Sequence, residues 1–195
     1  MKFHILKEMT VYQDFLRIKK AWIKHDRFDG ASSVTYDREC LDKGDFATVL
    51  LFEKDTKQII LVKQFRYPSI HHGDGWVLEI PAGGIEVGED HKECAIREVY
   101  EETGYVTKNL EHMVTCYTSP GITNERMILY YAEVDQNDKT GEGGGNTNED
   151  EDIQLHKYNI SEIKQLLLSG TINDAKTVIA LQWYLLHKIG DRYTI

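Results

Sequence analysis

The sequence of 195 residues predicts an α/β protein in which helices pack on a mixed sheet, although the residues alone also allow an α+β arrangement. Two observations predict this class. Short apolar runs alternate with longer amphipathic segments, and glycine or aspartate marks the ends of those segments. No apolar run approaches the roughly 20 residues of a membrane helix, so we expect no membrane partner.

The first 41 residues predict a separate strand-rich section. Phe15–Trp22 alternates between two faces as a half-buried strand does, and Ser33–Cys40 resembles a second strand. Such a section is too short to bury its own core. We therefore expect residues 1–41 to pack on something larger, a second copy of the chain being one candidate, and residues 42–195 to form the main domain.

The main domain is predicted to contain a mixed sheet and three helices. Apolar runs between turn residues predict strands at Phe46–Phe52, Ile59–Phe65, Trp76–Ile80, Met113–Tyr117, Met127–Val134 and Ile153–Tyr158. Helices are predicted at Asp90–Thr103, Ser161–Leu168 and Asp174–Ile189. Asp90 with Glu93 predicts a capping box, and Gly104 predicts the end of that helix.

Composition narrows the class of function. The net charge of −9 disfavours a nucleic-acid partner, because binding to a phosphate backbone depends on Lys and Arg. The three cysteines fit neither a disulfide framework nor a zinc site, and no signal peptide is readable at the N-terminus, so we expect a cytoplasmic protein. If such an acidic chain handles phosphates, we expect it to need cations.

The predicted helix Asp90–Thr103 carries a concentration of carboxylates. Glu98, Glu101 and Glu102 fall within about 100° of one another on an ideal helix. Mg²⁺ or Mn²⁺ would offset their repulsion, and the alternative is a solvated acidic face. Arg97 lies about 100° from Glu98, so we expect it to brace Glu89 or Glu101 without serving every acid.

These residues match a family motif. Gly83, Glu89, Arg97-Glu98, Glu101-Glu102 and Gly104 stand at the spacing of the Nudix box, so the chain resembles the Nudix hydrolase superfamily. Outside the box, Pro120 follows Gly104 by sixteen residues, and the segments Glu79–Gly83 and Asp174–His187 resemble the ADP-ribose pyrophosphatases and GDP-mannose hydrolases. The resemblance therefore covers nearly the whole chain.

The resemblance implies an α/β/α sandwich and metal-dependent hydrolysis of the pyrophosphate bond of a nucleoside diphosphate sugar. The expected reaction converts ADP-ribose to AMP and ribose 5-phosphate. GDP-mannose or another nucleotide sugar is the alternative substrate, and a non-catalytic nucleotide-binding sensor is a remote alternative. A decapping-type RNA hydrolase is disfavoured by the acidic charge. Base and sugar preference stay open.

The resemblance also implies the catalytic machinery. The Ala82 carbonyl with Glu98 and Glu102 would bind two or three Mg²⁺ ions, with Mn²⁺ as the alternative, and Glu101 would be a further ligand. In the loop Asp138–Asp152, which is rich in acids and is called the acidic loop, Glu149 would be the general base and Glu151 a metal ligand, although the two roles are interchangeable. Arg97 would orient the carboxylates. The glycines Gly143–Gly145 would let this loop swing over the substrate.

Substrate contacts are implied by the same resemblance, in a homodimer with shared active sites. Phe15 would stack on the nucleobase, and Arg38 and Glu39 would reach the nucleotide from the other subunit. Arg66 would contact the diphosphate or the terminal ribose. The remaining contacts would be Gly83, Ser119 and Lys176. The plain alternatives are packing at the dimer seam for Phe15, a surface ion pair for Arg66 and an ordinary surface position on a helix for Lys176.

Overall fold

The computed structural model describes residues 1–146 and 150–190, and the chain divides into two compact units. The first unit comprises Met1–Asp45 and Tyr117–Arg126. It contains an antiparallel sheet of three strands, in the order β1 (Phe3–Gln13), β2 (Arg17–His25) and β3 (Tyr36–Leu41). The predicted start of a strand at Phe15 is wrong, because Asp14 N donates to Leu16 O at 3.0 Å and closes a turn there.

The second unit comprises Phe46–Cys116 and Met127–Ile195 and is built on a seven-stranded mixed sheet. Its strands are β4 (Phe46–Glu53), β5 (Gln58–Phe65), β6 (Trp76–Glu79), β7 (Ala82–Gly84), β8 (Glu111–Tyr117), β9 (Arg126–Val134) and β10 (Ile153–Asn159). The main order is β10-β5-β4-β9-β8, with β6 paired to β5 and β7 to β4. The β4–β9 pair is parallel, whereas β5 pairs antiparallel with β4 and β10.

Three helices cover this sheet, α1 (His91–Thr103), α2 (Ile160–Leu168) and α3 (Ala175–Tyr184). Alternation along β4 sends Leu50 towards a core that includes residues of α2 and α3. Val49 and Leu51 point to the opposite core, where Val99 of α1 packs. The predicted α/β sandwich is therefore confirmed, with the sheet between α1 and the α2–α3 layer.

The helix ends follow local chemistry. Asp90 caps α1 by accepting from Lys92 N at 2.8 Å, and Gly104 ends it in the left-handed conformation. The last predicted helix differs, because α3 ends at Tyr184 and Leu185–Ile189 continues as a π-helix. There the His187 ring lies 2.9 Å from the Trp183 carbonyl and competes with the backbone. Among residues 1–146 and 150–190, no helix has the length and apolarity to cross a bilayer.

Candidate active site

Helix α1 carries two buried glutamates at the edge of its packed face. Cys94, Ala95 and Val99 pack against the sheet and fix the rotation of the helix. This rotation leaves Glu98 only 9% exposed and Glu102 only 2% exposed. The alternative of a fully solvated acidic face does not describe these two side chains, and burying charges without partners is costly.

Gly83 lets the carboxylate of Glu98 approach strand β7. A Cβ atom at Gly83 would lie 1.8–2.3 Å from the carboxylate atoms of Glu98, so that this carboxylate could not keep its position. Strand β7 is held in place because Gly83 pairs with Ala47 of β4. The box glycine is thus required by close approach, and a substitution there would displace Glu98.

Arg97 contacts more acids than its position on an ideal helix indicates. Its Nε and Nη2 donate to the carboxylate of Glu89 at 2.9 and 3.1 Å. Its Nη1 donates to Glu98 at 2.6 Å and to Glu101 at 3.2 Å. Arg97 thus reaches Glu98, against the expectation from the helix angle, because the guanidinium has several donors on a long side chain. It still does not serve every acid, since no ion pair joins it to Glu102 among the described residues.

Glu102 is the carboxylate with the poorest compensation. Oε1 accepts from Ala82 N at 3.3 Å, and Oε2 is buried without a hydrogen-bond partner in the described part of the chain. Burial raises the pKa of Glu102 well above its ordinary value, and the charges of Glu98 and Glu151 act in the same direction. Burial also raises the pKa of Glu98 to about 7, although Arg97 opposes the shift.

These acids fit a divalent cation. Glu102 has a carboxylate oxygen without a partner among the described residues, and burial raises the pKa of Glu98 although Arg97 is bonded to it. Oxygen donors of this kind suit a divalent cation. Within residues 1–146 and 150–190, no three acidic, histidine or cysteine side chains converge as a ready metal cage. Glu98 is turned towards Arg97 instead.

Glu151 lies near the two helix acids, since its charge contributes to the raised pKa values of both Glu98 and Glu102. Its Oε2 accepts from Asn146 N at 2.8 Å, and Gln64 Nε2 lies 3.5 Å from Oε1. Glu149, the predicted base, lies outside the described residues.

The segment Gly143–Gly145 does not hang free as a hinge. Gly144 N donates to Glu102 O and Gly145 N donates to Glu101 O, each at 3.0 Å. At this end of the loop the structure gives no support to the expectation that these glycines let the loop swing, because their backbone is bonded to helix α1.

Arg66 and Lys176 meet at one buried carboxylate, that of Glu79. Arg66 donates to Glu79 from Nε at 2.7 Å and from Nη2 at 3.2 Å. Lys176 is buried, also bonds to Glu79 and lies 3.1 Å from Asp174. Burial favours protonation, but these cations outweigh it and lower the pKa of Glu79. Lys176 is thus not an ordinary exposed helix lysine.

The other predicted substrate contacts lie in the first unit. Phe15 is 95% exposed in the β1–β2 turn. On β3, the Arg38 guanidinium lies 4.5 Å from the centre of the Tyr36 ring, and exposed Glu39 accepts from Lys20 at 3.4 Å. Ser119 is exposed, and its carbonyl accepts from the amides of residues 122 and 123.

Sequence reasoning missed the bridging role of Glu79. The available signal was a charged residue between Leu78 and Ile80 in an apolar strand, which implies a buried ion pair. Its partner Lys176 is 97 residues away, and Ile80 N donates to Thr177 Oγ1 across the same separation. No local pattern identifies such a pair.

Comparisons with known proteins agree with this geometry. The NUDIX domain family model matches residues 43–181. An ADP-ribose pyrophosphatase of Haemophilus influenzae is 36% identical over 187 residues, covering 94% of this chain and 86% of that protein. A GDP-mannose pyrophosphatase of Cronobacter sakazakii is 34% identical, covering 98% of this chain and 99% of the relative. A crystal structure of an ADP compounds hydrolase has the same fold, with a TM-score of 0.73 at 20% identity and 97% of each chain covered.

Proposed function

The chain belongs to the Nudix family as a pyrophosphohydrolase, and we propose that it hydrolyses ADP-ribose to AMP and ribose 5-phosphate. The observation that carries the assignment of the site is the buried pair Glu98 and Glu102, in which Glu98 is paired with Arg97 while Glu102 Oε2 has no partner among the described residues and so could accept a cation. The choice of substrate is supported by the relatives that are named ADP-ribose pyrophosphatases. A cytoplasmic location is proposed with it.

Nudix ADP-ribose pyrophosphatases generally depend on divalent metal ions. We assign two or three Mg²⁺ ions, with Mn²⁺ as the alternative, to the Ala82 carbonyl, Glu98, Glu101, Glu102 and Glu151. Such ions neutralise a diphosphate and stabilise the charge that develops on its oxygens. The raised pKa values of Glu98 and Glu102 support this assignment, since an adjacent cation would favour the carboxylate form.

The protein's own residues orient the reactants. Arg97 ties Glu98 and Glu101 to Glu89, which limits their rotamers. Glu149 is assigned as the base that takes a proton from the attacking water, with Glu151 as the alternative. Loss of this proton turns the water into a hydroxide, whose oxygen attacks one phosphorus. The bond between that phosphorus and the bridging oxygen then breaks, and the bridging oxygen leaves with the other phosphate.

Arg66 is assigned to the diphosphate or terminal ribose. Glu79 holds its Nε and Nη2, and the side chain remains 42% exposed. A guanidinium held in this way is preorganised for binding an anion, because little side-chain entropy is lost on binding. Gly83 and Ser119 are proposed to contact the same substrate.

GDP-mannose is the second candidate substrate. Two observations favour it: the alignment with the GDP-mannose pyrophosphatase of Cronobacter sakazakii covers 99% of that protein, and a lysine stands at position 176. Lys176 is, however, 9% exposed and already paired with Glu79 and Asp174, so reaching a sugar would require those ion pairs to open. This cost weighs towards ADP-ribose.

We also propose that the chain acts as a homodimer. Strand β1 is exposed along its whole length, and its apolar residues include Phe3, Ile5 and Val11. An uncovered strand of this kind is a liability for a monomer. The partner subunit would cover it and receive Arg38 and Glu39 at its active site, and Phe15 would stack on the nucleobase. The proposal would be contradicted if sedimentation showed a stable monomer and that monomer had full activity in the hydrolysis assay.

The function is tested by incubating the protein with ADP-ribose, GDP-mannose and other nucleotide sugars in Mg²⁺ or Mn²⁺, with products separated by chromatography. We expect ADP-ribose to be cleaved fastest, with ¹⁸O from labelled water in one phosphate product. The matched control is Glu98→Gln, which keeps the side-chain shape and should lose turnover. If none of the nucleotide sugars is hydrolysed with either metal, the proposal is wrong.

A further inference from the structure

The glycine turn, residues Gly143–Gly145, completes the hydrogen bonding at the end of helix α1. The last carbonyls of any α-helix lack partners within the helix. Here the Glu102 carbonyl accepts from Gly144 N and the Glu101 carbonyl accepts from Gly145 N, each at 3.0 Å. The backbone of the glycine turn is therefore tied to two residues of the proposed metal site.

The same turn places Glu151. Ile153 N donates to Gly144 O at 3.1 Å, which brings the chain back alongside the turn. Asn146 N donates to the Glu151 carboxylate at 2.8 Å, and Glu151 N donates to Asn146 O at 3.3 Å. The position of this carboxylate relative to α1 is thus set through the glycine turn.

Close contact explains why glycine occupies two of these positions. A Cβ atom at Gly143 would lie 2.6 Å from the Thr103 carbonyl carbon and 2.8 Å from Glu102 O. A Cβ atom at Gly145 would lie 2.7 Å from the Cβ atom of Glu151. At Gly144, by contrast, the nearest atom would be 3.9 Å away. A side chain at position 143 or 145 would push the turn away from α1 or displace Glu151.

We propose that Gly143 and Gly145 are positioning residues, which hold Glu151 in place relative to Glu98 and Glu102 by allowing the turn to pack against α1. This inference rests on the proposed function of those acids. Its basis is geometric, since displacing a catalytic constellation by about 1 Å can cost about 100-fold in rate. The glycine turn then acts as a rigid support for Glu151.

The test compares Gly143→Ala with Gly170→Ala. Gly170 has φ +73°, close to the +71° of Gly143, but an added Cβ would meet nothing within 4 Å. Both variants therefore carry the same backbone strain, and only Gly143→Ala adds the collision. Kinetics with ADP-ribose and Mg²⁺ give kcat and KM, and calorimetric titration with Mn²⁺ alone gives metal affinity without substrate.

We expect Gly143→Ala to lose about 10- to 100-fold in kcat with little change in KM, since misplacement affects the reacting geometry. Its Mn²⁺ affinity should fall about 10-fold, as it does when the residues that orient metal ligands are removed. Gly170→Ala should match the wild type in both. If Gly143→Ala does not fold, Gly145→Ala is used, because its added Cβ would meet the side chains of Glu151 and Ile153 first and not the backbone at the end of the helix.

The inference is overturned if the folded glycine variants match Gly170→Ala in kcat and in Mn²⁺ affinity and differ only in melting temperature. That result would mean that the turn only caps the end of helix α1 and does not position Glu151. Failure of the proposed function is distinguishable from this outcome. A wild-type protein that hydrolyses no nucleotide sugar would contradict the function, whereas the Mn²⁺ titrations would still decide the role of the turn.

Discussion

Two buried glutamates of the second unit, Glu53 and Glu102, carry the same carboxylate group but differ in their hydrogen-bond and ion-pair partners. Glu53 is 0% exposed and Glu102 is 2% exposed. Lys157 Nζ donates to both oxygens of Glu53 at 2.7 and 2.9 Å, and Thr56 and Tyr105 donate as well. Glu102 has one long bond from an amide and an oxygen without a partner in the described chain.

The pKa directions follow from these partners. Burial pushes the pKa of Glu53 up, but its three donors outweigh burial and the net shift is downward. Burial raises the pKa of Glu102, and neighbouring carboxylates add to the rise. A carboxylate that completes its own ion pair stabilises the fold, whereas one left without a cation is poised to bind one.

The largest expected effect is on activity, in Glu102→Gln. Losing a ligand whose ion supplies several kcal/mol of charge stabilisation should lower kcat/KM about 1,000-fold, at about 1.4 kcal/mol per tenfold. The free energy of unfolding without metal should stay equal or rise, because the raised pKa of Glu102 costs stability above its ordinary pKa and an amide does not carry that cost. Steady-state kinetics and urea unfolding check both. Activity near that of the wild type would remove Glu102 from the metal site.

Next in size is the loss of stability in Glu53→Gln. The substitution leaves the Lys157 ammonium without its counter-charge, and breaking a buried pair in this way costs about 3 kcal/mol. Urea unfolding measures the loss, while kcat per folded molecule should hardly change. A clear fall in kcat under conditions where all of the variant is folded would mean that Glu53 is not merely structural.

Divalent metal should stabilise the protein through Glu102 and not through Glu53. At a concentration 100 times its Kd, Mg²⁺ adds about 2.7 kcal/mol if it binds only the folded state. Thermal unfolding with Mg²⁺ and with EDTA should show this difference in the wild type and in Glu53→Gln. Glu102→Gln should show little stabilisation by Mg²⁺. If Mg²⁺ stabilised that variant as much as the wild type, the ion would bind elsewhere.

The smallest effect is the pH dependence contributed by Glu53. Its pKa in the folded state lies below the ordinary value of 4.5, so its stabilising contribution is present above about pH 4.5 and is lost as the pH falls through the lower, folded value. Unfolding measured from pH 6 downward should therefore show a shallower decline in Glu53→Gln than in the wild type. Parallel declines would contradict the shift.

Local sequence predicted helix α1 well, because its ends are determined by adjacent residues. Asp90 caps the first turn and Gly104 adopts the left-handed conformation at the end. The β1–β2 turn at Phe15 was missed, since alternating apolar residues fit several strand registers equally well. The pairing of Glu79 with Lys176 was missed because it joins β6 to α3 across 97 residues.

The sequence by itself determined the family, the order of the three helices and of most strands, and which acids stand on one helix, because box spacing and helix periodicity are local properties. Strands β1 and β7 were not predicted. Tertiary structure alone decided which acid is compensated. Arg97 reaches three carboxylates and leaves Glu102 without an ion pair among the described residues, while Glu53 receives Lys157 from a strand 104 residues away. Charge compensation depends on distances in space, and those distances exist only after the sheet and helices have packed.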